Sequence, residues 1–310
     1  MRYFVTGGAG FIGSVLVKRL LEKNHQVTVF DNFSLGKQKF LDTKNPNLKI
    51  IRGDIRNLHL LDKSIKNHDF VYHLAANSDI PAGIKNTKLD FEINTIGTLN
   101  ILNSMSKHNL KNLVFASSST VFGFPSKFPT SEDYGPCLPE SFYGASKLAA
   151  EGYISSFATL YGIKSWIFRF ANITGSPATH GIIFDFMKKL QKPSKQFKVL
   201  GNGFQEKSYI TNDMLIDAMF KIIQNTRKNK QKVLLYNIGN NDVIQIKDIA
   251  EIFLKEHNSD KKIVYSGGQG GWKGDVHKMR LDIKKIKKEG WAPNKNSKEC
   301  ILEAIRNYWD

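Results

Sequence analysis

Two side chains in the segment YGASK could work as an acid–base pair. Tyr143 and Lys147 stand four positions apart with small residues between them, so on a helix both would project from the same face. A phenol is a poor base at neutral pH, but a nearby ammonium stabilises the phenolate and lowers its pKa. Tyr143 could then take a proton from a substrate hydroxyl while Lys147 bonds the ribose of a nicotinamide cofactor. The alternative is a Tyr/Lys pair on the helix surface. Two other segments argue against it: the hydroxyl-rich SSST at 117–120 and a loop of the nucleotide-binding type.

That loop is a glycine-rich turn near the N-terminus. FVTGGAGFIG places Gly7, Gly10 and Gly13 between a predicted strand and a predicted helix, a variant of the dinucleotide-binding fingerprint. Glycine allows the backbone to approach a pyrophosphate, and the helix N-terminus supplies free N–H groups. Phe11 and Ile12, inside the same loop, are also predicted to contact the cofactor.

An acidic residue follows the second predicted strand. Asp31 ends VTVFD and stands 18 residues after Gly13. A carboxylate at this point accepts hydrogen bonds from ribose hydroxyls and repels a 2′-phosphate, so NAD is predicted rather than NADP. Asp54, after the third predicted strand, fits either a turn or helix-cap residue or a site near the adenine ring.

Alternating strands and helices would position these groups. The hydrophobic pattern predicts strands at 2–6, 26–30, 48–51, 69–75, 112–118 and 165–172, and helices at 11–23, 57–67, 88–108 and 143–161. This alternation predicts an α/β fold with a Rossmann-like, doubly wound parallel sheet.

The proline-rich segment 123–142 predicts a long loop before Tyr143, and the regular alternation ends after about residue 175. We therefore predict an NAD-binding domain at 1–171, joined by a returning strand near 232–239. Residues 172–310 would form a smaller, discontinuous C-terminal α/β substrate domain.

Bulk composition excludes several classes of protein. The 310 residues contain two cysteines and carry a formal net charge of +17. No apolar run approaches the ~18 residues of a membrane span, and no signal peptide is apparent, so we expect a cytoplasmic protein without a membrane partner. The lysines are spread out and lack interleaved aromatic residues, so no nucleic acid partner is expected. No metal site is predicted.

The chain resembles the extended short-chain dehydrogenase/reductases, in the group of NAD-dependent sugar-nucleotide epimerases and dehydratases, and within it the UDP-glucose 4-epimerases. The segments that carry this resemblance are TGGAGFIG (6–13), DN (31–32), GDI (53–55), HLAA (73–76), N-x-x-G-T (94–98), SSSTVFG (117–123), YGASK (143–147), RFANITG (169–175) and GNGFQEKSYI (201–210). The resemblance implies NAD as cofactor, a UDP-sugar as substrate, and a homodimer in which the helices near 88–108 and 143–161 pair across a two-fold axis.

Roles for individual residues follow from the same resemblance. It implies that Ser118 bonds the reacting hydroxyl beside Tyr143, with Lys147 completing the catalytic set. The further cofactor positions that it implies are Asn32, Asp54, Ile55, Leu74, Ala75, Ala76 and Asn94. The further substrate positions are Thr120, Asn172 and Lys207, the last standing where many relatives carry an arginine.

The residues after Ser118 favour one reaction of this group. The 4,6-dehydratases carry Asp-Glu directly after the catalytic residue, whereas this chain has Ser119 and Thr120, whose hydroxyls cannot replace carboxylates in acid–base work. The sequence therefore predicts a 4-epimerase, with UDP-glucose/UDP-galactose favoured. A UDP-glucuronate 4-epimerase, a dehydratase or reductase of the same fold, and a non-catalytic NAD-sensing protein are the alternatives.

Overall fold

A seven-stranded parallel sheet forms the centre of the protein, seen here in a computed structural model that describes residues 1–308. The strands are β1 (Arg2–Thr6), β2 (Gln26–Asp31), β3 (Leu48–Arg52), β4 (Phe70–His73), β5 (Asn112–Ser118), β6 (Lys164–Phe170), β7 (Asn172–Thr174), β8 (Gln196–Val199), β9 (Glu206–Lys207), β10 (Tyr209–Thr211), β11 (Val233–Ile238), β12 (Ile244–Gln245) and β13 (Lys262–Tyr265). The central sheet has the order β11-β6-β5-β4-β1-β2-β3.

Helices cover this sheet and connect its strands. They are α1 (Phe11–Glu22), α2 (Leu58–Ile65), α3 (Ile80–Lys85), α4 (Thr87–Asp90), α5 (Gly97–Lys107), α6 (Phe142–Tyr161), α7 (Ile182–Leu190), α8 (Asn212–Thr226), α9 (Ile246–Glu256), α10 (Lys284–Lys288) and α11 (Ser297–Arg306), with 3₁₀ turns at Gln38–Phe40 and Ser119–Phe122. Among the helices of residues 1–308, none is both long and apolar enough to cross a membrane.

The order of the strands reverses beside β1. Strand β1 pairs with β2 on one side, Tyr3 opposite Val27, and with β4 on the other, Tyr3 opposite Phe70. At such a switch point the connections leave in opposite directions, so a crevice opens at the carboxyl ends of β1 and β4. The sheet confirms the predicted Rossmann-like α/β fold, and the returning strand is present as β11, parallel to β6.

Several predicted boundaries differ from the observed ones. The strand predicted at 69–75 ends at His73, and the one at 165–172 breaks at Ala171 into β6 and β7. The helix predicted at 88–108 is a continuous helical run of α4, a π-helical segment Phe91–Ile96 and α5. A π-helical turn is a short i→i+5 insert inside an α-helix, and the hydrophobic spacing over 88–108 predicts a helix without specifying the type of each turn.

The second half of the chain adds three two-stranded sheets beside the central one. Strands β7 and β10 are parallel, β8 and β13 are parallel, and β9 and β12 are antiparallel. Helices α7 and α9 pack against β8 through an aromatic cluster in which the rings of Phe186, Phe197 and Phe253 lie within 4.9–5.7 Å of one another. This cluster is part of a large hydrophobic core that also contains residues of the central sheet such as Val5 and Tyr72.

A buried ion pair joins α6 to the central sheet. Arg169 of β6 and Glu151 of α6 are 5% and 7% exposed, and they form a bidentate pair with N–O distances of 2.6 and 3.0 Å. The Ser117 hydroxyl donates to the same carboxylate at 2.5 Å. The guanidinium also lies 4.6 Å from the ring centre of Phe122, so the pair fixes α6 relative to β5, β6 and the turn that follows β5.

Removing one charge of this pair should strongly destabilise the fold. The substitution Glu151→Gln keeps the shape and an acceptor for Ser117 but leaves the Arg169 guanidinium buried without its counter-charge, which costs about 3–5 kcal/mol. Urea unfolding measures the loss. The matched control, Glu256→Gln, removes a carboxylate that pairs with Arg306 on the surface and should leave the unfolding midpoint nearly unchanged. Equal midpoints for both variants would contradict the interpretation.

Candidate active site

The glycine-rich turn between β1 and α1 is too tightly packed to admit side chains. Gly7 has φ +70°, and a Cβ there would lie 2.6 Å from the backbone nitrogen of Ala75. A Cβ on Gly13 would lie 2.1 Å from the carbonyl oxygen of Gly7. Gly10 caps α1 without a side chain, so the first N–H groups of the helix, at Phe11 and Ile12, have no intrahelical acceptor. This cradle fits a pyrophosphate, as the sequence predicts.

Asp31 lies at the carboxyl end of β2 beside this turn. Its carboxylate accepts from the backbone N–H of Ala9 at 2.9 Å and from that of Phe33 at 2.8 Å. Burial raises the pKa of Asp31, while the two backbone donors lower it. The carboxylate therefore holds the glycine-rich turn in shape, a role that adds to the predicted recognition of a ribose.

Asn32 and Asp54 meet next to Asp31. The Asn32 amide donates to Asp54 at 3.0 Å, and the Arg56 guanidinium donates to the same carboxylate at 2.8 and 2.9 Å. Hydrogen bonds from Arg56 hold the pKa of Asp54 well below its usual range. Ile55 is buried and its side chain packs over Gly97, so only its backbone remains to serve the cofactor role predicted for it.

The segment after β4 forms the other wall of the crevice. The N–H of Leu74 donates to the Thr6 carbonyl at 3.1 Å and that of Ala75 to the Thr6 hydroxyl at 3.3 Å. Leu74, Ala75 and Ala76 are half-buried. They follow the end of β4 instead of forming it, and their contact with the cofactor stays a prediction.

Asn94 is buried behind this wall and links it to α6. The side-chain oxygen of Asn94 accepts from the backbone N–H of Asn77 at 2.9 Å. Its side-chain NH₂ group donates to the Ser146 hydroxyl at 2.9 Å. Ser146 in turn donates to the carbonyl of Tyr143 at 2.7 Å. Since protein groups occupy the Asn94 side chain, its predicted contribution to a cofactor pocket is indirect, through the position of α6.

Tyr143 and Lys147 share one face of α6, as their spacing predicts. Lys147 is 2% exposed, and its ammonium donates to the carbonyl of Ala116 in β5 at 2.9 Å. The ammonium lies 5.8 Å from the ring centre of Tyr143 and 4.9 Å from that of Phe115. The pair is therefore not a surface pair.

The two pKa values do not follow the expectation. Burial raises the pKa of Tyr143 to about 12 and lowers that of Lys147 to about 8. The pKa of Tyr143 is thus raised where the sequence predicts that it is lowered, because burial desolvates the phenolate. The negative charge of Asp90 raises the pKa of Tyr143 further, and the Ser118 hydroxyl lowers it.

Ser118 lies at the carboxyl end of β5, facing Tyr143. Its oxygen accepts from the N–H of Thr120 at 3.2 Å and from the Thr120 hydroxyl at 2.9 Å. Because Thr120 donates twice, the proton of Ser118 remains available for another acceptor. Thr120 thus orients Ser118, and a substrate contact from Thr120 stays a prediction.

Two predicted substrate residues lie in the second half of the chain. The Asn172 amide donates to the carbonyl of Ser208 at 3.2 Å. The Lys207 ammonium pairs with Asp275 at 2.8 Å and also donates to the carbonyl of Val276. Phosphate contacts for these residues stay predictions, and one from Lys207 would have to compete with Asp275.

Sequence analysis missed the polar groups behind the site. His73 bonds Thr6 and Thr98 through its two ring nitrogens, both at 2.9 Å, and burial holds its pKa well below the ordinary value. Asp90 accepts from Asn77 at 2.9 Å. The position of His73 inside an apolar strand is a weak sequence signal that its side chain is buried. Asp90 lies in a predicted helix, where the sequence pattern indicates only an ordinary surface carboxylate.

The residues present fit a bound dinucleotide. The cradle at Gly7–Gly13 admits a pyrophosphate, Asp31 ends the neighbouring strand, and Ser118, Tyr143 and Lys147 lie further along the same carboxyl edge of the sheet. Within residues 1–308 there is no cluster of three His, Cys, Asp or Glu side chains that could hold a metal ion.

Known proteins resemble the chain over almost its full length. A putative UDP-glucose 4-epimerase of Methanocaldococcus jannaschii is 32% identical over 308 residues, covering 97% of this chain and 96% of that protein. The UDP-glucose 4-epimerase of Thermotoga maritima, solved with UDP-glucose, matches with a TM-score of 0.88 at 29% identity, covering 99% and 98% of the two chains. A dTDP-glucose 4,6-dehydratase of Streptomyces venezuelae, DesIV, solved with NAD, matches with a TM-score of 0.89 at 26% identity, covering 99% and 97%.

The fold is thus shared by an epimerase and a dehydratase, and it does not choose between their reactions. Residues 3–239 match the family of NAD dependent epimerases and dehydratases. With this match and the dinucleotide crevice, the chain belongs to the NAD dependent epimerase/dehydratase family and uses NAD as its cofactor.

Proposed function

We propose that this protein is a UDP-sugar 4-epimerase that interconverts UDP-glucose and UDP-galactose. The observation that carries the proposal is the set of Ser118, Tyr143 and Lys147 at the carboxyl edge of the sheet, next to hydroxyls at Ser119 and Thr120 instead of the carboxylates that the resemblance associates with dehydration. Thr120 donates to Ser118, so its hydroxyl serves to orient a neighbour. The names of the relatives in Methanocaldococcus jannaschii and Thermotoga maritima support the same reaction.

In this mechanism the proton at the sugar O4 moves to and from Tyr143. Tyr143 accepts the proton as the sugar is oxidised at C4 and returns it when the 4-keto sugar is reduced on its opposite face. Bound NAD supplies the acceptor and donor of the hydride. Without substrate, the single proton of Ser118 bonds Tyr143 and favours its phenolate. With substrate bound, the same hydroxyl donates to the reacting oxygen instead. With its raised pKa, Tyr143 is a protonated phenol at neutral pH. It can act as the base only if nearby positive charge stabilises its phenolate.

Lys147 provides that positive charge over a limited pH range. Its pKa of about 8 means that the ammonium is charged below pH 8 and becomes neutral as the pH rises through that value. A neutral Lys147 no longer stabilises a phenolate on Tyr143. The active form in this proposal therefore has a protonated Lys147, and activity declines on the alkaline side.

We further propose that residues 1–171 with β11 bind the cofactor, and that the remaining parts of 172–310 bind the sugar nucleotide. Asn172 in β7 and Lys207 in β9 belong to this second part. Lys207 cannot make the bidentate phosphate contact of an arginine, so in this proposal it would meet the diphosphate as a single point charge.

The reaction is tested with a panel of UDP-sugars. Incubation with UDP-galactose should yield a C4 epimer of unchanged mass, because the hydride leaves and returns at the same carbon. Mass spectrometry with chromatographic separation of the epimers measures the product. Turnover of UDP-galacturonate alone would transfer the proposal to uronates, and a product lighter by one water would show dehydration and contradict the interpretation of Ser119 and Thr120.

The proposed base is tested by Tyr143→Phe. The substitution removes one oxygen and should lower turnover by roughly 10²–10⁴-fold, the range for a lost acid–base group, while NAD stays bound because the Gly7–Gly13 cradle is untouched. The matched control is Tyr161→Phe, an exposed tyrosine at the end of the same helix, which should keep wild-type turnover. Near-wild-type turnover of Tyr143→Phe would refute the mechanism.

We also propose a homodimer formed through α5 and α6. Helix α6 exposes Tyr153 at 45% and Leu160 at 75%, and Phe91 before α5 is exposed at 53%, which is an unusual set of large apolar side chains for a free helix surface. Sedimentation should give a dimer, and Leu160→Glu should weaken it by placing a charge in the apolar contact. A monomeric wild-type protein at micromolar concentration would refute this assembly.

A further inference from the structure

The carboxylate of Asp90 is buried beside the catalytic pair and is incompletely bonded. Asp90 is the last residue of α4 and is 1% exposed. Its Oδ1 accepts from the amides of Asn77 at 2.9 Å and Asn94 at 3.4 Å. Its Oδ2 has no hydrogen-bond partner among the residues that the structure describes. An isolated buried carboxylate is costly unless a positive charge balances it.

The fold makes room for this carboxylate at one particular point. A Cβ on Gly83 of α3 would lie 2.3 Å from Asp90 Oδ2, so only glycine at position 83 lets α3 pack over the carboxyl group. The same carboxyl group anchors Asn77 and Asn94, which connect through Ser146 to the backbone of Tyr143. Asp90 is thus held rigidly at the junction of α3, the π-helical segment and α6.

Three titratable groups among the described residues interact electrostatically with the Asp90 carboxylate. Lys147 and Tyr143 belong to α6, and Asp79 belongs to the segment before α3. Against the lowering by burial, the negative charges of Asp90 and of Glu151, on the same helix, raise the pKa of Lys147. The positive charge of Lys147 helps burial to lower the pKa of His73 in β4, which is neutral. Glu151 is committed to Arg169 at 2.6 Å, which leaves Asp90 as the carboxylate without a cationic partner of its own.

We propose that Asp90 is a positioning residue for the catalytic pair, whose buried carboxylate is the counter-charge that keeps Lys147 protonated and opposes a negative charge on Tyr143. This inference rests on the proposed roles of Tyr143 and Lys147. It goes beyond them by assigning the pH range in which Lys147 is charged to a residue that touches neither substrate nor cofactor. The π-helical segment contributes to this role because it directly follows Asp90 and contains Asn94.

The sign of the effect follows from Coulomb's law. A negative charge near Lys147 favours its charged form, so the pKa of Lys147 would lie still further below the ordinary lysine value without Asp90. The same negative charge disfavours a phenolate, so it raises the pKa of Tyr143. Removal of the charge should lower both pKa values, and the alkaline limit of activity should move to lower pH.

The test is Asp90→Asn, which keeps the shape and the Oδ1 acceptor for Asn77 and removes the charge. The pKa of Lys147 is measured in the NAD-bound protein by NMR of lysines labelled with ¹³C at Cε, between pH 6 and 10, with the signal identified by its loss in Lys147→Met. We expect the pKa to fall by about one unit, the size typical of one nearby charge. The alkaline limb of kcat/KM should shift by the same amount.

A matched control separates a local charge from the general field of the surface. Glu92→Gln removes an exposed carboxylate two residues away that pairs loosely with Arg56 at 3.8 Å, and it should leave the Lys147 pKa unchanged. An unchanged Lys147 pKa in Asp90→Asn, or an equal shift in Glu92→Gln, would overturn the proposal. A purely structural hydrogen-bonding role would give the first of these results, because asparagine preserves the acceptor.

A second variant covers the case in which Asp90→Asn does not fold. Coupling between two groups is reciprocal, so Lys147→Met should raise the pKa of Asp90, read from sequentially assigned ¹³Cγ signals of aspartate, by about as much as Lys147 is shifted by Asp90. No rise would overturn the proposal. Neither titration depends on turnover, so a protein that shows the shift but epimerises no UDP-sugar would refute the proposed function and leave this inference standing.

Discussion

The ammonium of Lys147, buried under α6, is the interaction on which the candidate active site depends. A charged group at 2% exposure loses most of its hydration, and the fold compensates with the Ala116 carbonyl at 2.9 Å and with the negative charges of Asp90 and Glu151. These compensating groups come from β5, α4 and α6. The position of α6, and with it that of Tyr143, is therefore tied to several elements at once.

The burial that holds α6 in place also sets the chemistry. Desolvation raises the pKa of Tyr143 to about 12 and lowers that of Lys147 to about 8. The two values therefore move apart, in the directions opposite to those that an ion pair between a phenolate and an ammonium would give. A site of this kind responds strongly to any further charge that enters it, because no bulk water screens the interaction. In the proposed mechanism, the positive charge of a bound oxidised cofactor would be such a charge and would favour the phenolate of Tyr143.

The parallel sheet explains why residues so distant in the chain meet. The carboxyl ends of β1, β2, β4 and β5 lie at one edge, and each ends in a residue of the site or directly before one: the glycine-rich turn, Asp31, the segment 74–76 and Ser118. A dTDP-glucose 4,6-dehydratase shares this fold, so the architecture does not choose the reaction. In the proposed function, side chains such as Ser119 and Thr120 make that choice.

The sequence by itself determined the alternation of strands and helices, the glycine cradle, Asp31 and the one-turn spacing of Tyr143 and Lys147. These features are local: hydrophobic period, glycine at a close backbone approach and side-chain spacing on one helix are all written in neighbouring residues. The resemblance to known dehydrogenase/reductases extended this list to Ser118, which the structure brings to Tyr143.

Tertiary structure alone decided which charges face one another and how deeply they are buried. It showed that the pKa of Tyr143 is raised and not lowered, that Lys207 is already paired with Asp275, and that Asp90 lies beside the catalytic pair with one oxygen unbonded among the described residues. Electrostatic energies depend on distance through space and on desolvation, and neither quantity can be read from the order of residues along a chain.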